Sequence, residues 1–241
     1  MSGVGYHNRG VAISAKICSL LRSLNTSTYG DITPKTEYWI ELALTQQLTT
    51  VDELAEGVSL LVWNNQSYAA GLARFLKEFR DSPRRSTQAK PFVENVCTRI
   101  FQWFVVASAE DLGEDWKDGL VAIGGGYRFM EVTSYIGHLV EHGLFSPELV
   151  RLHLIRSLTM HHYSSPNRPA ETVRANAICR LFCIAGDVLL RGLLEPEDIR
   201  VCFEIVKTQL LKRDKIVGFS DANLEVQCPT HPDASHQNLL T

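Results

Sequence analysis

Residues 128–162 read RFMEVTSYIGHLVEHGLFSPELVRLHLIRSLTMHH, and residues 171–211 read ETVRANAICRLFCIAGDVLLRGLLEPEDIRVCFEIVKTQLL. Each stretch has the pattern of an amphipathic helix, a short break and a second helix. A helix pair of this size cannot bury its apolar side alone, so pairs of similar length in tandem predict a stacked α-solenoid. The extended surface of a solenoid typically holds other macromolecules, so binding is the first function that we expect.

Length and composition favour one helical domain with short flanking segments. The chain has 241 residues, of which 45% are hydrophobic and 21% are charged, which is enough for one sizeable core. We predict a flexible N-terminus over residues 1–10, a helical-repeat domain over residues 11–214 and a C-terminal tail over residues 215–241. The net charge of -3 excludes a broadly cationic protein that coats nucleic acid, but a local basic patch stays open.

Cysteine usage and the lack of a membrane signal indicate the compartment. The six cysteines show no regular pairing pattern, so we expect thiols rather than disulfides. The first ten residues are polar and glycine-rich, unlike a secretory signal, and no apolar run approaches the ~20 residues that cross a bilayer. The sequence therefore predicts a soluble protein of the cytoplasm or the nucleus.

Apolar periodicity predicts helices along the whole domain, the first of them beginning at Val11, which places the chain in the all-α class. Local signals mark several helix ends: Pro34 at a helix start, a capping box at Thr50 and Glu53, and a C-terminal cap at Gly143. The predicted inward-facing residues of the later helices are Phe129, Val132, Ile136, Leu139 and Val140; then Leu149, Leu152, Ile155 and Leu158; then Val173, Ala177, Leu181, Ile184 and Leu189; and finally Ile199, Phe203, Val206 and Leu210.

The most basic segment of the chain is RDSPRRSTQAKP, residues 80–91, which has two prolines and no large apolar side chain. These features predict an exposed loop. One interpretation is a solvated connector; the other is an edge on which Arg80, Arg84, Arg85 and Lys90 contact the phosphates of a nucleic acid. Trp116 lies in an acidic stretch and is the tryptophan that we expect to be exposed, so it is a further candidate for partner contact.

Three stretches resemble the middle domain of the eukaryotic initiation factor 4G family, which is built of HEAT-type helical repeats. They are KICSLLRSLN (16–25), YIGHLVEHGLF (135–145) and AICRLFCIAGDVL (177–189), in the order in which the family has its signatures. The resemblance covers residues 11–213 and rests on packing motifs, in which Gly137 and Gly186 would permit close helix contact.

The resemblance implies a right-handed solenoid of about five antiparallel helix pairs. It also implies a scaffold role, with a DEAD-box RNA helicase, other factors of translation initiation and mRNA metabolism, or RNA itself as the partner. The sequence departs from the family pattern at His138, where the family has glutamate, and at Phe182-Cys183-Ile184, where the family has a threonine-rich step. We therefore transfer no contact residues from the family.

An enzymatic alternative is offered by His138, Glu141 and His142, which fit the His-x-x-Glu-His pattern of inverted zinc peptidases. Histidines four residues apart on a helix can share a zinc ion while the glutamate polarises a water molecule. Such a site needs a third protein ligand, and the sequence does not mark which glutamate would supply it. The candidates are Glu148, Glu171 and Glu195.

A second metal candidate lies in the tail, where Cys228, His231 and His236 are close in sequence, although structural zinc sites usually have four ligands. A third alternative is a helical assembly scaffold that has no RNA-related partner. From the balance of these features we predict a non-catalytic binding protein, with no catalytic residue and no cofactor.

Overall fold

A computed structural model of the chain describes residues 3–24, 28–63, 68–82, 87–112, 125–159 and 168–214. Within these ranges the protein has nine helices and no strand, which confirms the all-α class. The first six are α1 (Gly3–Arg22), α2 (Tyr29–Thr45), α3 (Val51–Ser59, extended by a 3₁₀ turn Leu60–Trp63), α4 (Ala69–Asp81), α5 (Ala89–Leu112) and α6 (Gly125–Glu141). The others are α7, made of Pro147–Leu149, a π-helical turn Val150–Ile155 and Arg156–Thr159; α8 (Arg168–Val188, extended by a π-helical turn Leu189–Leu193); and α9 (Pro196–Asp214).

The first two helices begin earlier than their apolar pattern predicted. α1 begins at Gly3, eight residues before the predicted start at Val11. α2 begins at Tyr29, so Pro34 lies inside the helix rather than at its first position. A proline there removes one N–H donor from the hydrogen bonds of the helix. The predicted tail, residues 215–241, lies outside the described residues.

Local chemistry sets the other helix ends as predicted. At the start of α3 the Glu53 N–H donates to Thr50 Oγ1 at 3.1 Å, and the Thr50 N–H donates to Glu53 Oε2 at 3.0 Å, which is a complete capping box. At the end of α6 Gly143 has a φ of +63°, its N–H donates to Val140 O, and the Leu144 N–H donates to Leu139 O. This is a Schellman motif, in which glycine supplies the left-handed conformation without strain.

The core is one continuous cluster in the described residues, and every one of the nine helices contributes to it. Aromatic rings connect the helices along it: Phe79 of α4 meets Phe92 of α5 with ring centroids 6.0 Å apart, and Phe104 of α5 meets Phe129 of α6 at 5.2 Å. α6 makes the most extensive contact of any helix, against α8. All five predicted core residues of α6 are buried, which confirms its predicted inner face.

Helices that are next but one in sequence lie side by side and run in the same direction. Asp52 and Glu56 of α3 form ion pairs with Arg99 of α5 at 3.9 and 3.8 Å, and Asn95 of α5 donates a hydrogen bond to Asp52. Because Asp52 meets Asn95 and Glu56 meets Arg99, both 43 residues further on, α3 and α5 are parallel.

The even-numbered helices pair in the same way. Tyr68, just before α4, meets Tyr135 of α6 with ring centroids 6.1 Å apart, and Arg80 at the end of α4 donates to the Gly143 carbonyl at 3.2 Å. α4 and α6 are therefore parallel. Further along, Gly137 of α6 lies against Ile184 of α8.

Two glycines were predicted to permit close helix contact, and the structure separates them. A Cβ on Gly137 would lie 3.1 Å from Ile184 Cβ, so the absence of a side chain allows α6 to approach α8. A Cβ on Gly186 would meet nothing within 4 Å, so the prediction is wrong there. A close approach that was not predicted occurs at Gly71 of α4, where a Cβ would lie 2.8 Å from Leu24 O at the end of α1.

The inner face of α7 differs from its predicted face. Val150, Leu154, Ile155 and Leu158 are buried, whereas Leu152, which was predicted to face inward, is 47% exposed. The π-helical turn Val150–Ile155 explains the difference, because it has more residues per turn than an α-helix and rotates the side chains that precede it relative to those that follow.

Candidate functional site

The structure describes two of the four basic residues that were predicted to contact a partner, Arg80 and Lys90. The Arg80 guanidinium is committed internally: its Nε lies 2.7 Å from Asp81 Oδ1 and its Nη1 donates to the Gly143 carbonyl at 3.2 Å. Hydrogen bonds from Arg80 and then Lys77 lower the pKa of Asp81 to about 2. Arg80 thus ties the end of α4 to the end of α6, which is a structural role.

The other residues of that prediction are placed differently. Lys90 is largely exposed at the start of α5, with its Nζ 3.8 Å from Glu94 Oε1, so it is available to solvent and to an anionic partner. Arg84, Arg85 and Trp116 lie outside the described residues. Of the residues predicted for the basic edge, Lys90 is therefore the accessible cation in the described part of the chain, and it lies beside the carboxylate of Glu94.

The zinc-peptidase pattern occupies the end of α6. His138 Nδ1 lies 3.1 Å from Glu141 Oε2, so the first histidine pairs with the glutamate. His142 follows the last residue of the helix, and burial lowers the pKa of its imidazole. Across the described ranges, no three His, Cys, Asp or Glu side chains come together in a group that could hold a metal ion. Cys228, His231 and His236, the other predicted metal candidates, lie outside those ranges.

Two thiols of the described helices are buried in the core. The five described cysteines form no disulfide. Cys97 and Cys202 are buried, and desolvation raises the pKa of each thiol to about 12. A nucleophilic cysteine needs a lowered pKa, so these two side chains are packing residues.

An exposed apolar row on α9 is the largest departure from the predicted faces. The residues that attach α9 to the core are Cys202 and Ile205, which are buried. Phe203 and Leu210, predicted to face inward, are each 56% exposed, and Leu211 is 54% exposed. We call Phe203, Leu210 and Leu211 the α9 row.

The aromatic side chain of Phe182, on α8, borders this row. Phe182 packs partly against the core, and its ring centroid is 5.5 Å from that of Phe203. Together they form an apolar surface at the junction of α8 and α9. Sequence reasoning missed it because Ile199, Phe203, Val206 and Leu210 recur at three- and four-residue steps, and this spacing assigned them to the core.

Arg174 on α8 is a further residue that the sequence analysis did not select. It is only 2% exposed, and its Nε has no hydrogen-bond partner. Burial lowers the pKa of its guanidinium, and the negative charge of Glu171 acts in the opposite direction. The available signal was its spacing, because Arg174, Ile178, Leu181 and Ala185 share one face of a helix.

None of the described helices combines the length and the apolar character that are needed to span a bilayer. Comparisons of the chain with protein-family models, with curated proteins and with solved structures give no match.

Proposed function

We propose that the protein is a non-catalytic helical-repeat scaffold that binds protein or ribonucleoprotein partners. The observation that carries this proposal is the α9 row, bordered by Phe182. Large apolar side chains that are grouped on a surface and left out of the core are typical of protein-binding sites. The residues that attach α9 to the core are different residues, so the row is available to a partner while the helix stays folded.

For the architecture we propose a right-handed solenoid of about five antiparallel helix pairs. Its support is the contact between parallel helices that are next but one in sequence. The 43-residue separation between α3 and α5, and the 47 residues from Gly137 to Ile184, fall within the about 40–47 residues of HEAT-type repeats. The contacts between α4 and α6 join residues further apart, 67 residues from Tyr68 to Tyr135 and 63 from Arg80 to Gly143. Within the α8–α9 pair, Glu171 meets Gln209 and Phe182 meets Phe203, as antiparallel helices require.

For the pathway we propose translation initiation or mRNA metabolism, with a DEAD-box RNA helicase or RNA as the partner, in the cytoplasm or the nucleus. The support is the resemblance of residues 16–25, 135–145 and 177–189 to the initiation factor 4G middle domain. The five described cysteines, which form no disulfide, are typical of a reducing compartment.

The test is affinity purification from the native cell, with and without nuclease, of the native chain and of the double variant Phe203→Ser/Leu210→Ser. Tyr38→Ser is the matched control, because Tyr38 is an equally exposed aromatic residue on α2. We expect a DEAD-box helicase to be recovered with the native chain and the control. With purified components, the double variant should bind it roughly tenfold or more weakly, the effect expected from truncating anchor residues.

Two results would contradict the proposal. The first is equal recovery of the same partners by the native chain and the double variant, which would remove the α9 row from the interaction. The second is recovery of neither a helicase nor RNA, which would remove the pathway. Stoichiometric zinc that is lost in His142→Ala would instead support the hydrolase alternative.

A further inference from the structure

Arg174 is an exception among the buried polar side chains of the described helices. The others are hydroxyls, and each donates to a backbone carbonyl of its own helix: Thr36 to Ile32, Ser59 to Glu56, Thr133 to Phe129 and Ser134 to Met130, at 2.7 to 3.0 Å. Arg174 is buried to the same extent, but its Nε has no partner. A buried N–H group without an acceptor is unfavourable, so the Nε of Arg174 requires an explanation.

The position of Arg174 on α8 shows which side of the helix carries the Nε that has no partner. Glu171 faces α9, since its Oε2 accepts a hydrogen bond from Gln209 Nε2 at 2.8 Å, and Ile184 faces α6 at Gly137. An α-helix turns by about 100° per residue, so Arg174 lies between these two sides of α8, in line with the buried Ile178 and Ala185.

Within the described residues no carboxylate lies within 4.0 Å of Arg174. The negative charge that acts on Arg174 is that of Glu171, one turn earlier on the same helix. The Glu171 carboxylate is itself oriented by Gln209 of α9. It therefore reduces the electrostatic cost of the buried guanidinium without supplying it with an ion pair.

We propose that Arg174 forms a binding site for an oxyanion, a phosphate or carboxylate group that completes the hydrogen bonding of its guanidinium. The planar guanidinium binds such groups through two parallel N–H donors, which a lysine cannot do. Apolar neighbours strengthen the attraction, because the effective dielectric constant around the pair is low. This site is independent of the scaffold proposal, since it involves different residues from the α9 row.

The experiment measures thermal unfolding of the full chain as sodium phosphate or sodium acetate replaces sodium chloride at constant ionic strength. The native chain is compared with Arg174→Met, which keeps the length of the side chain but not its charge, and with Arg174→Lys. Arg191→Met is the matched control, because Arg191 lies in the last turn of α8, but its side chain is 80% exposed and pairs with Asp187. The difference between native and variant chains cancels the general effect of each salt.

The native chain and Arg191→Met should gain about 3–5 °C in Tm for each tenfold rise in the bound anion above its Kd. Arg174→Met should show no such gain, and in chloride alone its Tm should exceed that of the native chain, because it no longer buries an unpaired charge. Arg174→Lys should show a smaller gain. A response to phosphate alone identifies a phosphate site, and an equal response to acetate identifies a carboxylate site.

A gain in Tm that is the same in the native chain and Arg174→Met would overturn the proposal. So would a Tm of Arg174→Met in chloride below that of the native chain, since it would mean that the arginine already has a stabilising partner. If Arg174→Met does not fold, calorimetric titration of the native chain with inorganic phosphate decides the question. One saturable site per chain is expected, and no saturable heat for phosphate or for acetate would refute it.

Discussion

The close approach of α4 to the end of α1 predicts that Gly71→Ala destabilises the fold. The new Cβ would lie 2.8 Å from Leu24 O and 3.2 Å from Leu24 Cβ. Favourable carbon–oxygen contacts are about 3.3–3.6 Å long, so α4 would have to move by about 0.5 Å. Overpacking of this kind costs about 1–3 kcal/mol, and the helix propensity of alanine returns at most about 1 kcal/mol. We expect a net loss of about 1–2 kcal/mol.

Gly186→Ala is the matched control, because Gly186 is also helical but a Cβ there has open space. It should stabilise the protein by about 0.5–1 kcal/mol, since alanine restricts the unfolded chain more than glycine does. The two variants should therefore differ by about 2–3 kcal/mol, or roughly 5–10 °C in Tm. Urea unfolding followed by tryptophan fluorescence measures the difference. If Gly71→Ala is as stable as Gly186→Ala, then Leu24 does not constrain α4 and the reasoning fails.

Three further predictions concern local chemistry. Gln47 follows α2 with a φ of 52°, so Gln47→Gly should stabilise the fold by about 0.5–1 kcal/mol in urea unfolding, whereas Gln46→Gly, at a φ of -87°, should give no gain. Thr50→Ala should lose about 1 kcal/mol in the same assay because α3 loses its cap, and Thr50→Ser should retain most of it. The pKa of Asp81, about 2 in the folded protein, lies below its ordinary 3.8, so its ion pairs stabilise the fold above pH 4 and are lost as the pH falls toward 2. Asp81→Asn should reduce the loss of unfolding free energy between pH 4 and pH 2 by less than about 1 kcal/mol, because the carboxylate is exposed. An acid-induced loss of stability equal to that of the native chain would contradict this.

Predictions that depended on neighbouring residues in the sequence were the most successful. The capping box at Thr50 and the cap at Gly143 formed as expected, because each requires only residue types at fixed spacing. The five predicted core residues of α6 are also buried, but so are Thr133, Ser134 and Tyr135 on its other sides, which the apolar pattern did not predict. At the two caps one local arrangement satisfies the sequence, so no knowledge of the neighbouring helices is needed.

Predictions that depended on the surroundings of a helix were less successful. α9 has two apolar sides, and the core uses the side with Cys202 and Ile205 rather than the side with Phe203. Side-chain size alone cannot decide between such faces, because the choice depends on the space that α8 and α7 leave. The same limit applies to Gly186, whose helix has no close neighbour at that point. It also applies to Arg174, which is buried although arginine is seldom found in a protein core.

The division of α9 into two sides bears on how its function can be tested. The helix is attached to the core by the fully buried Cys202 and Ile205, whereas more than half of Phe203 is in contact with solvent and its ring contacts only the partly buried Phe182 among the aromatic side chains described. Removing Phe203 should therefore leave most of the folding free energy intact, whereas removing a buried side chain of similar size costs about 3–5 kcal/mol. A protein whose partner-binding side chains are separate from its core can lose binding without unfolding. For that reason a loss of partner in Phe203→Ser/Leu210→Ser, measured at unchanged Tm, would reflect the surface itself rather than a damaged fold.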